Sequence, residues 1–263
     1  MSALRVLITG GGCVEKIDDV RAITNTSSGK TALLIARVIK ALNPAAAITY
    51  LMAERAVQPK IVGKAETAGG KAETFGKAKT AGAASINRDS VKNFSSCADL
   101  QKLLRAELSA NKYDLLFHAA AVSDYSVQSL VVDGKEFKLG RVAKISGAKN
   151  VSVNLKLNPK LLAEIPALAK KKNKGAVVVG FKLTSNASEA ERAAAVQKLF
   201  AEKNPPDFVI SNDLSEITPK SHPCVLWRAG CKAKKGGAAA SGAVIVARGQ
   251  IQTIVRKIYA FNS

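Results

Sequence analysis

Short apolar runs alternate with longer segments of helical periodicity along most of the chain. Continuous apolar runs bounded by turn residues predict strands that are buried on both faces, as in a parallel sheet. Segments in which apolar residues recur every three to four positions predict helices. The predicted strands are residues 4–8, 46–52, 114–117, 175–179, 207–210, 224–227 and 243–247. The predicted helices are residues 29–42, 98–110, 158–172, 188–203 and 252–260.

This alternation of strands and helices predicts one α/β domain over residues 1–263. We expect a doubly wound, mostly parallel, Rossmann-like sheet. The last two strands, joined by a loop rich in glycine, alanine and lysine, are predicted to form an antiparallel addition at the C-terminal end. In such sheets ligands bind beyond the carboxyl ends of the strands, so polar residues at those ends are the candidates for a functional site.

Two stretches lack a clear pattern. Residues 58–85 contain three copies of a short phrase beginning Gly-Lys-Ala, with no apolar face to bury. We expect a solvated, flexible insertion with little fixed structure; a lysine-rich contact to nucleic acid is the alternative. Residues 126–151 are predicted to be a looser segment that holds a basic loop with Lys144.

Helix starts are marked by local signals. Asn158 followed by Pro159 predicts an N-cap with proline at the first helical position. Ser188 followed three residues later by Glu191 predicts a capping box.

The formal net charge is +20, from 40 lysine and arginine residues against 20 acidic ones. Such a balance favours an anionic partner, either nucleic acid or a small polyanion such as a nucleotide. A nucleic-acid module is the weaker interpretation, because aromatic residues are only 5% of the chain and no RNP-like, zinc-knuckle or helix-turn-helix signature occurs. Weak, non-specific nucleic-acid binding remains compatible with another function.

Four cysteines without paired spacing argue against a zinc site and suit a reducing compartment. No secretion signal and no apolar run long enough to span a membrane is evident, so we expect a cytoplasmic protein without membrane contact.

Two glycine-containing turns near the N-terminus could bind phosphate through backbone N–H groups. The first is Gly10, Gly11 and Gly12 after the first strand; it does not open a helix, and no acidic residue ends the next strand, which argues against a dinucleotide site and an oxidoreductase. The second is Ser27, Ser28, Gly29 and Lys30 at a helix start, for which an ordinary N-cap is the alternative.

Other candidates each have a structural alternative. His118 follows a strand and could move a proton, or be a core histidine. Asp124 could bind ribose or a metal, or form a turn. Lys144 in a polar loop could close over phosphates, or be solvated. Cys13 lacks a visible base partner, so we do not expect it to be catalytic.

Seven phrases, in order, make the chain resemble the phosphopantothenate–cysteine ligases of coenzyme A biosynthesis, in their single-activity form. The matching phrases are residues 9–13, 17–29, 121–125, 144–146, 158–159, 180–183 and 212–213. The resemblance implies a two-step reaction. The carboxylate of 4′-phosphopantothenate attacks the α-phosphate of a nucleoside triphosphate, and the amine of L-cysteine then displaces the nucleotide from the acyl-nucleotidylate.

The resemblance implies that Asn25 contacts the acyl-phosphate carbonyl and that Lys144 contacts the phosphates from a mobile loop. The remaining substrate- and nucleotide-binding candidates come from the two turns and from the family's positions. They are Gly10, Gly11, Gly12, Ser27, Ser28, Gly29, Lys30, His118, Ala119, Ala120, Asp124, Asn158, Pro159, Lys160, Leu161, Phe181, Lys198, Lys203 and Asn212.

The resemblance also implies Mg²⁺ carried with the triphosphate and a homodimer. The motifs leave CTP and ATP both open as the nucleotide. Cys13 stands where the family usually has threonine, so a hydroxyl contact at that position is lost.

Overall fold

The computed structural model describes residues 3–60, 89–138, 145–230 and 243–262. Most of the insertion predicted at 58–85, the loop that joins the last two strands, and Lys144 lie outside these ranges.

The strands and helices are introduced here in chain order. The strands are β1 (Arg5–Gly10), β2 (Val14–Lys16), β3 (Ala22–Thr24), β4 (Ala47–Ala53), β5 (Ser90–Phe94), β6 (Leu115–His118), β7 (Tyr125–Val132), β8 (Lys135–Lys138), β9 (Val151–Leu157), β10 (Val177–Thr184), β11 (Phe208–Asp213), β12 (Pro223–Ala229) and β13 (Ala243–Gln250). The helices are α1 (Lys30–Leu42), α2 (Cys97–Ala110), α3 (Leu161–Lys172), α4 (Glu189–Phe200) and α5 (Ile251–Asn262), with a 3₁₀ turn at Leu214–Glu216.

The central feature is an eight-stranded sheet in the order β13-β12-β11-β10-β6-β1-β4-β5. The strands from β11 to β5 run parallel to one another. Strand β12 pairs antiparallel with β11, and β13 pairs antiparallel with β12. The predicted fold class, a mostly parallel Rossmann-like sheet with a C-terminal antiparallel addition, is confirmed. Strand order reverses between β1 and β6, and this switch point is where open α/β sheets bind ligands.

The sheet is covered by helices whose apolar faces match the predicted periodicity. Buried side chains of α1 recur at helical spacing, among them Ile35 and Ile39, and α1 packs beside α5. Helix α2 packs beside α3, with α2 against β4 and β5 and α3 against β10. The central strands are buried almost throughout: Val6, Leu7 and Ile8 of β1 are at most 1% exposed. Burying apolar surface in this way stabilises the fold by about 25 cal/mol per Å².

The prediction of a looser segment at residues 126–151 is wrong. It contains β7 and β8 and reaches the start of β9, which together form a three-stranded antiparallel sheet in the order β8-β7-β9. The β2–β3 hairpin and β5 were not predicted either. Strands β2, β3 and β5 are short, and β9 is largely exposed, so these four lack the continuous apolar runs that mark the buried strands.

The start of α3 also differs from the prediction. The helix begins at Leu161, and its N-cap is Lys160, so neither Asn158 as N-cap nor Pro159 at the first helical position is correct. The Asn158 side chain instead donates to the Ser123 carbonyl (2.9 Å) and accepts from the Ser126 hydroxyl (2.6 Å). The capping box predicted at Ser188 and Glu191 is confirmed, with both reciprocal hydrogen bonds present.

Candidate functional site

A cleft of about 1060 Å³ runs along the carboxyl edge of the sheet. Its walls are the ends of β6, β10 and β11, the N-terminal turn of α1 and the start of α3. This is the edge at which the strand-end rule places ligands.

Asn25 lies at one end of the cleft, just after β3, and is held there from two sides. Its backbone carbonyl lies so close to Gly12 that a Cβ on Gly12 would come within 1.8 Å of the oxygen. Its side-chain amide donates to the Val122 carbonyl (3.1 Å), and the Ser123 hydroxyl donates to its Oδ1 (3.4 Å). The amide is therefore fixed against the loop after β6, with a second N–H left for a ligand.

The N-terminus of α1 opens onto the same cleft. Gly29 is the N-cap at φ 75° and has no side chain to cap the helix, while the Lys30 N–H donates to Ser28 Oγ (3.4 Å). The positive φ favours glycine at this position, and a Cβ there would also come within 2.9 Å of the Met52 side chain. The first turn contains no acidic residue, and Ser27, Ser28 and Lys30 line the cleft. The positive end of the helix dipole favours an anion such as phosphate at this position.

The end of β6 forms the floor of the cleft. His118 is 7% exposed and pairs in register with Thr9 of β1 and Gly180 of β10. Burial lowers the pKa of His118 to about 4, so the ring is neutral at physiological pH. Of the two interpretations made from the sequence, the buried histidine is the one that the packing supports, although the ring also borders the cleft.

Asp124 and Lys160 form an ion pair across the cleft rim, with 2.5 Å between the carboxylate and the ammonium. Both side chains are 63% exposed, so the pair is solvated and contributes little stability. Asn158 lies behind it: its backbone N–H donates to the Asp124 carbonyl (2.8 Å), and its side chain joins the β6 loop to α3. Asn158 therefore supports the rim from outside the cleft.

Most of the candidates from the sequence meet in this one cleft. Its lining includes Asn25, Ser27, Ser28, Lys30, His118, Ala119, Ala120, Asp124, Pro159, Lys160, Leu161, Phe181, Lys198 and Asn212. The candidates that the structure places outside its lining are Gly10, Gly11, Gly12, Gly29, Asn158 and Lys203. Lys144 lies outside the described residues.

The first glycine turn has a packing role. A Cβ on Gly10 would meet Ala32 at 2.5 Å, and one on Gly11, at φ 88°, would meet Ala53 at 2.6 Å. These glycines let β1 approach α1 and β4 closely. Strand β4 ends one residue later than predicted, and an exposed acidic residue, Glu54, follows it directly. Glu54 borders a second cavity of about 700 Å³ and is not part of the cleft lining.

The far end of the cleft contains residues that the sequence analysis missed. Lys220 and His222 lie in the connection before β12, and His222 Nε2 is 2.9 Å from the Asn212 side-chain amide nitrogen. Burial lowers the pKa of His222 as well. Because β12 is antiparallel to β11, its beginning lies at the edge where the parallel strands end, and that geometry was the signal that could have found these residues.

The described lining is strongly basic. Five lysines, Lys30, Lys160, Lys182, Lys198 and Lys220, face two carboxylates, Asp124 and Glu202. Low-dielectric walls lined by one sign of charge attract and concentrate ligands of the opposite sign. The cleft therefore suits a polyanion, in agreement with the +20 net charge of the whole chain.

Three further observations concern cysteines, metals and membranes. Cys13 is fully buried, and burial raises the pKa of its thiol to about 12, which argues against a nucleophilic role. Within residues 3–60, 89–138, 145–230 and 243–262, no group of three or more His, Cys, Asp or Glu side chains is arranged to hold a metal ion. Among the helices described, none has both the length and the apolar character needed to cross a bilayer.

Comparison with known proteins identifies the family. A family model described as the DNA/pantothenate metabolism flavoprotein C-terminal domain matches residues 1–66 and 64–222. The chain belongs to this family. The family relationship predicted from the seven phrases is thereby confirmed.

Curated relatives and solved structures agree. A coenzyme A biosynthesis bifunctional protein, CoaBC, of Thermococcus kodakarensis is 27% identical over 222 residues, which are 84% of this chain and 44% of the relative. CoaBC of Methanocaldococcus jannaschii is 27% identical over 212 residues, 81% of this chain and 41% of the relative. The chain thus spans less than half the length of these relatives.

Two solved structures share the fold. The DNA/pantothenate metabolism flavoprotein from Streptococcus pneumoniae aligns with a TM-score of 0.66 at 22% identity, covering 98% of this chain and 100% of that one. A Cab2 mutant in complex with phosphopantothenate-cysteine aligns with a TM-score of 0.62 at 17% identity, covering 98% of this chain and 86% of that one.

Proposed function

We propose that this protein is a phosphopantothenate–cysteine ligase of coenzyme A biosynthesis. In the first step the carboxylate of 4′-phosphopantothenate attacks the α-phosphorus of a nucleoside triphosphate, forming an acyl-nucleotidylate and releasing pyrophosphate. In the second step the cysteine amine attacks the acyl carbon. The carbon–oxygen bond to the phosphate breaks, the nucleoside monophosphate leaves, and the amine loses a proton as the amide forms.

Family membership and the relatives support this proposal. Both curated relatives are named as coenzyme A biosynthesis proteins, and the Cab2 structure holds phosphopantothenate-cysteine, the product of the proposed reaction. The ligase activity is proposed for this chain alone, although the relatives are bifunctional and longer.

The observation that carries the proposal is the convergence of distant segments on one cleft. Asn25, Asp124 and Phe181 are separated by up to 156 positions, from residue 25 to residue 181, and all three line the same basic hollow. Residues that only stabilise the fold need not line a common cleft. Residues that together bind a large mixed anhydride must do so. The volume of about 1060 Å³ lies at the upper end of ligand-binding cavities, which suits two joined substrates.

Different described residues are assigned to different parts of the substrates. The Asn25 amide, held rigidly by Val122 and Ser123, presents an N–H for the acyl-phosphate carbonyl oxygen. The positive end of the α1 dipole and the Lys30 side chain, both at the cleft, attract phosphate oxygens. Fixed donors of this kind stabilise the negative charge that develops in both steps, and removing one typically costs about 10²–10³ in kcat. Lys144 is assigned to the phosphates by family position.

The donor set also fits Mg²⁺ that enters with the triphosphate. Mg²⁺ commonly uses one or two protein carboxylates together with phosphate oxygens and water, and the described lining offers Asp124 and Glu202. When bound, Mg²⁺ would offset charge on the phosphate oxygens. A homodimer and a cytoplasmic location are further parts of the proposal, taken from the family resemblance and the sequence.

The test is an assay of partial reactions with CTP and ATP in parallel. Pyrophosphate release should require both triphosphate and phosphopantothenate, and amide should appear when cysteine is added. Asn25→Asp and Lys144→Gln should each reduce turnover by about 10² or more while leaving the melting temperature near that of the wild type. Full activity in both variants would contradict the assignment of these residues.

A further inference from the structure

His118 is a buried titratable group that the proposed reaction does not use through its side chain. It ends β6 on the floor of the cleft, opposite Thr9 on one side and Gly180 on the other. Its two ring nitrogens have different surroundings, and this difference defines what the ring can do.

The Nδ1 atom is the last member of a chain of two hydrogen bonds. The Ala120 N–H donates to Thr9 Oγ1 (3.1 Å), and Thr9 Oγ1 lies 3.0 Å from His118 Nδ1. Thr9 is 1% exposed, and among the described residues Nδ1 is the acceptor available to its hydroxyl. The hydroxyl proton therefore points at Nδ1, so the neutral ring carries its own proton on Nε2. The lowered pKa of His118, caused by burial, keeps the ring in this uncharged form.

The Nε2 atom faces the cleft. It has no partner among the described residues, yet no buried side-chain nitrogen or oxygen in these residues lacks a hydrogen-bond partner. The atom is therefore at the cleft surface, although only 7% of the residue is exposed. The result is an N–H donor whose position, tautomer and charge are all fixed by the fold.

A neutral hydrogen-bond donor and a cation favour different parts of a nucleotide. The lysines of the lining suit phosphate oxygens, whereas His118 is followed by Ala119 and Ala120, and the half-buried Phe181 follows its register partner Gly180. This uncharged surface matches a nucleobase, whose ring nitrogens are neutral acceptors. We propose that His118 donates a hydrogen bond from Nε2 to a ring nitrogen of the nucleotide base. The inference rests on the proposed function, since it requires that a nucleotide binds in this cleft.

The experiment pairs side-chain variants with deaza nucleotides, which lack one ring nitrogen each. Dissociation constants are measured by calorimetry for wild type, His118→Leu and His118→Gln, using ATP and its 1-, 3- and 7-deaza forms, and CTP and its 3-deaza form. Leucine removes the donor, whereas glutamine keeps an N–H at similar reach. A net hydrogen bond predicts binding about 3- to 10-fold weaker for the leucine variant, with the glutamine variant closer to wild type.

The decisive comparison is made on each protein separately. One deaza analogue should bind wild type about 3- to 10-fold more weakly than its parent, and the leucine variant should not distinguish the two, as expected for a coupled pair. A general loss of stability cannot imitate this pattern, because it affects all analogues alike. If every analogue loses the same factor in the leucine variant, or if that variant binds as tightly as wild type, the proposal for His118 is overturned. Absence of triphosphate binding by wild type would instead overturn the proposed function itself.

Discussion

Replacing Gly12 with alanine would push a methyl group into the backbone that carries Asn25. The added Cβ would lie 1.8 Å from the Asn25 carbonyl oxygen and 2.9 Å from its carbonyl carbon. Ordinary contacts are longer than 3 Å, so the two segments must separate by more than about 1 Å, a shift that can cost about 10²-fold in rate when it moves a reacting group. The neighbour is backbone, so no side-chain rotation relieves the clash.

The expected result for Gly12→Ala is a loss of about 10²-fold in kcat/KM for amide formation. Overpacking of this kind also destabilises by about 1–3 kcal/mol, which lowers the melting temperature by about 2–12 °C in a chain of this size. Activity is measured below the transition of the variant, so that unfolding does not account for the loss.

Gly175→Ala is the matched control. Its Cβ would meet only the Asn173 Oδ1 atom, at 3.5 Å, which is an ordinary contact, and its φ is not in the left-handed region. We expect near-normal activity and stability for this variant. If Gly12→Ala behaves like Gly175→Ala, the tight packing of Gly12 on Asn25, and the reasoning built on it, is refuted.

Three other variants test separate parts of the molecule. Asp18 accepts hydrogen bonds from the Ile145 N–H and from the β2–β3 turn, and these bonds hold the pKa of Asp18 below its usual range. A lowered carboxyl pKa gives stability that is present above the unfolded pKa of about 3.9 and is lost as pH falls through the folded pKa, so Asp18→Asn should flatten acid unfolding curves below about pH 4. Lys198→Ala should weaken triphosphate binding and reduce its salt dependence, whereas Lys203→Ala, outside the cleft lining, should leave both unchanged in calorimetry; equal effects would contradict the placement. Glu107→Ala removes an acceptor of three hydrogen bonds far from the cleft and should lower stability by about 2–3 kcal/mol in urea unfolding without changing kcat at 25 °C.

The parallel sheet could be predicted because its strands are buried on both faces and are therefore continuous apolar runs. Strand β9 was not predicted, because its valines and leucines alternate with polar residues and form no continuous apolar run. This agrees with the exposure of almost all of its residues. The alternation Val-Ser-Val-Asn-Leu-Lys-Leu over Val151–Leu157 nevertheless has the period of two that marks a strand. Applied consistently, that test would have found β9.

The site was predictable where parallel strands end and less so elsewhere. Asn25, Asp124, Phe181 and Asn212 follow the strand-end rule or the family phrases, and they do meet in one cleft. His222 was missed because it lies just before an antiparallel strand, whereas the strand-end rule was applied only to parallel strands.

Asn158 shows a limit of local rules. Its side chain is a good N-cap by type, but one hydrogen bond to Ser123 in the loop after β6 and one to Ser126 of β7 hold it elsewhere, and no sequence signal reports such long-range partners.

The central claim is that the carboxylate of phosphopantothenate is activated as an acyl-nucleotidylate in this cleft. Phosphopantothenate labelled with ¹⁸O in its carboxylate tests it directly, because the oxygen that attacks the α-phosphorus stays with the departing nucleotide. The account predicts one ¹⁸O atom in the phosphate of the nucleoside monophosphate for each amide formed. Label found in inorganic phosphate, or absent from the nucleotide while amide accumulates, would contradict it.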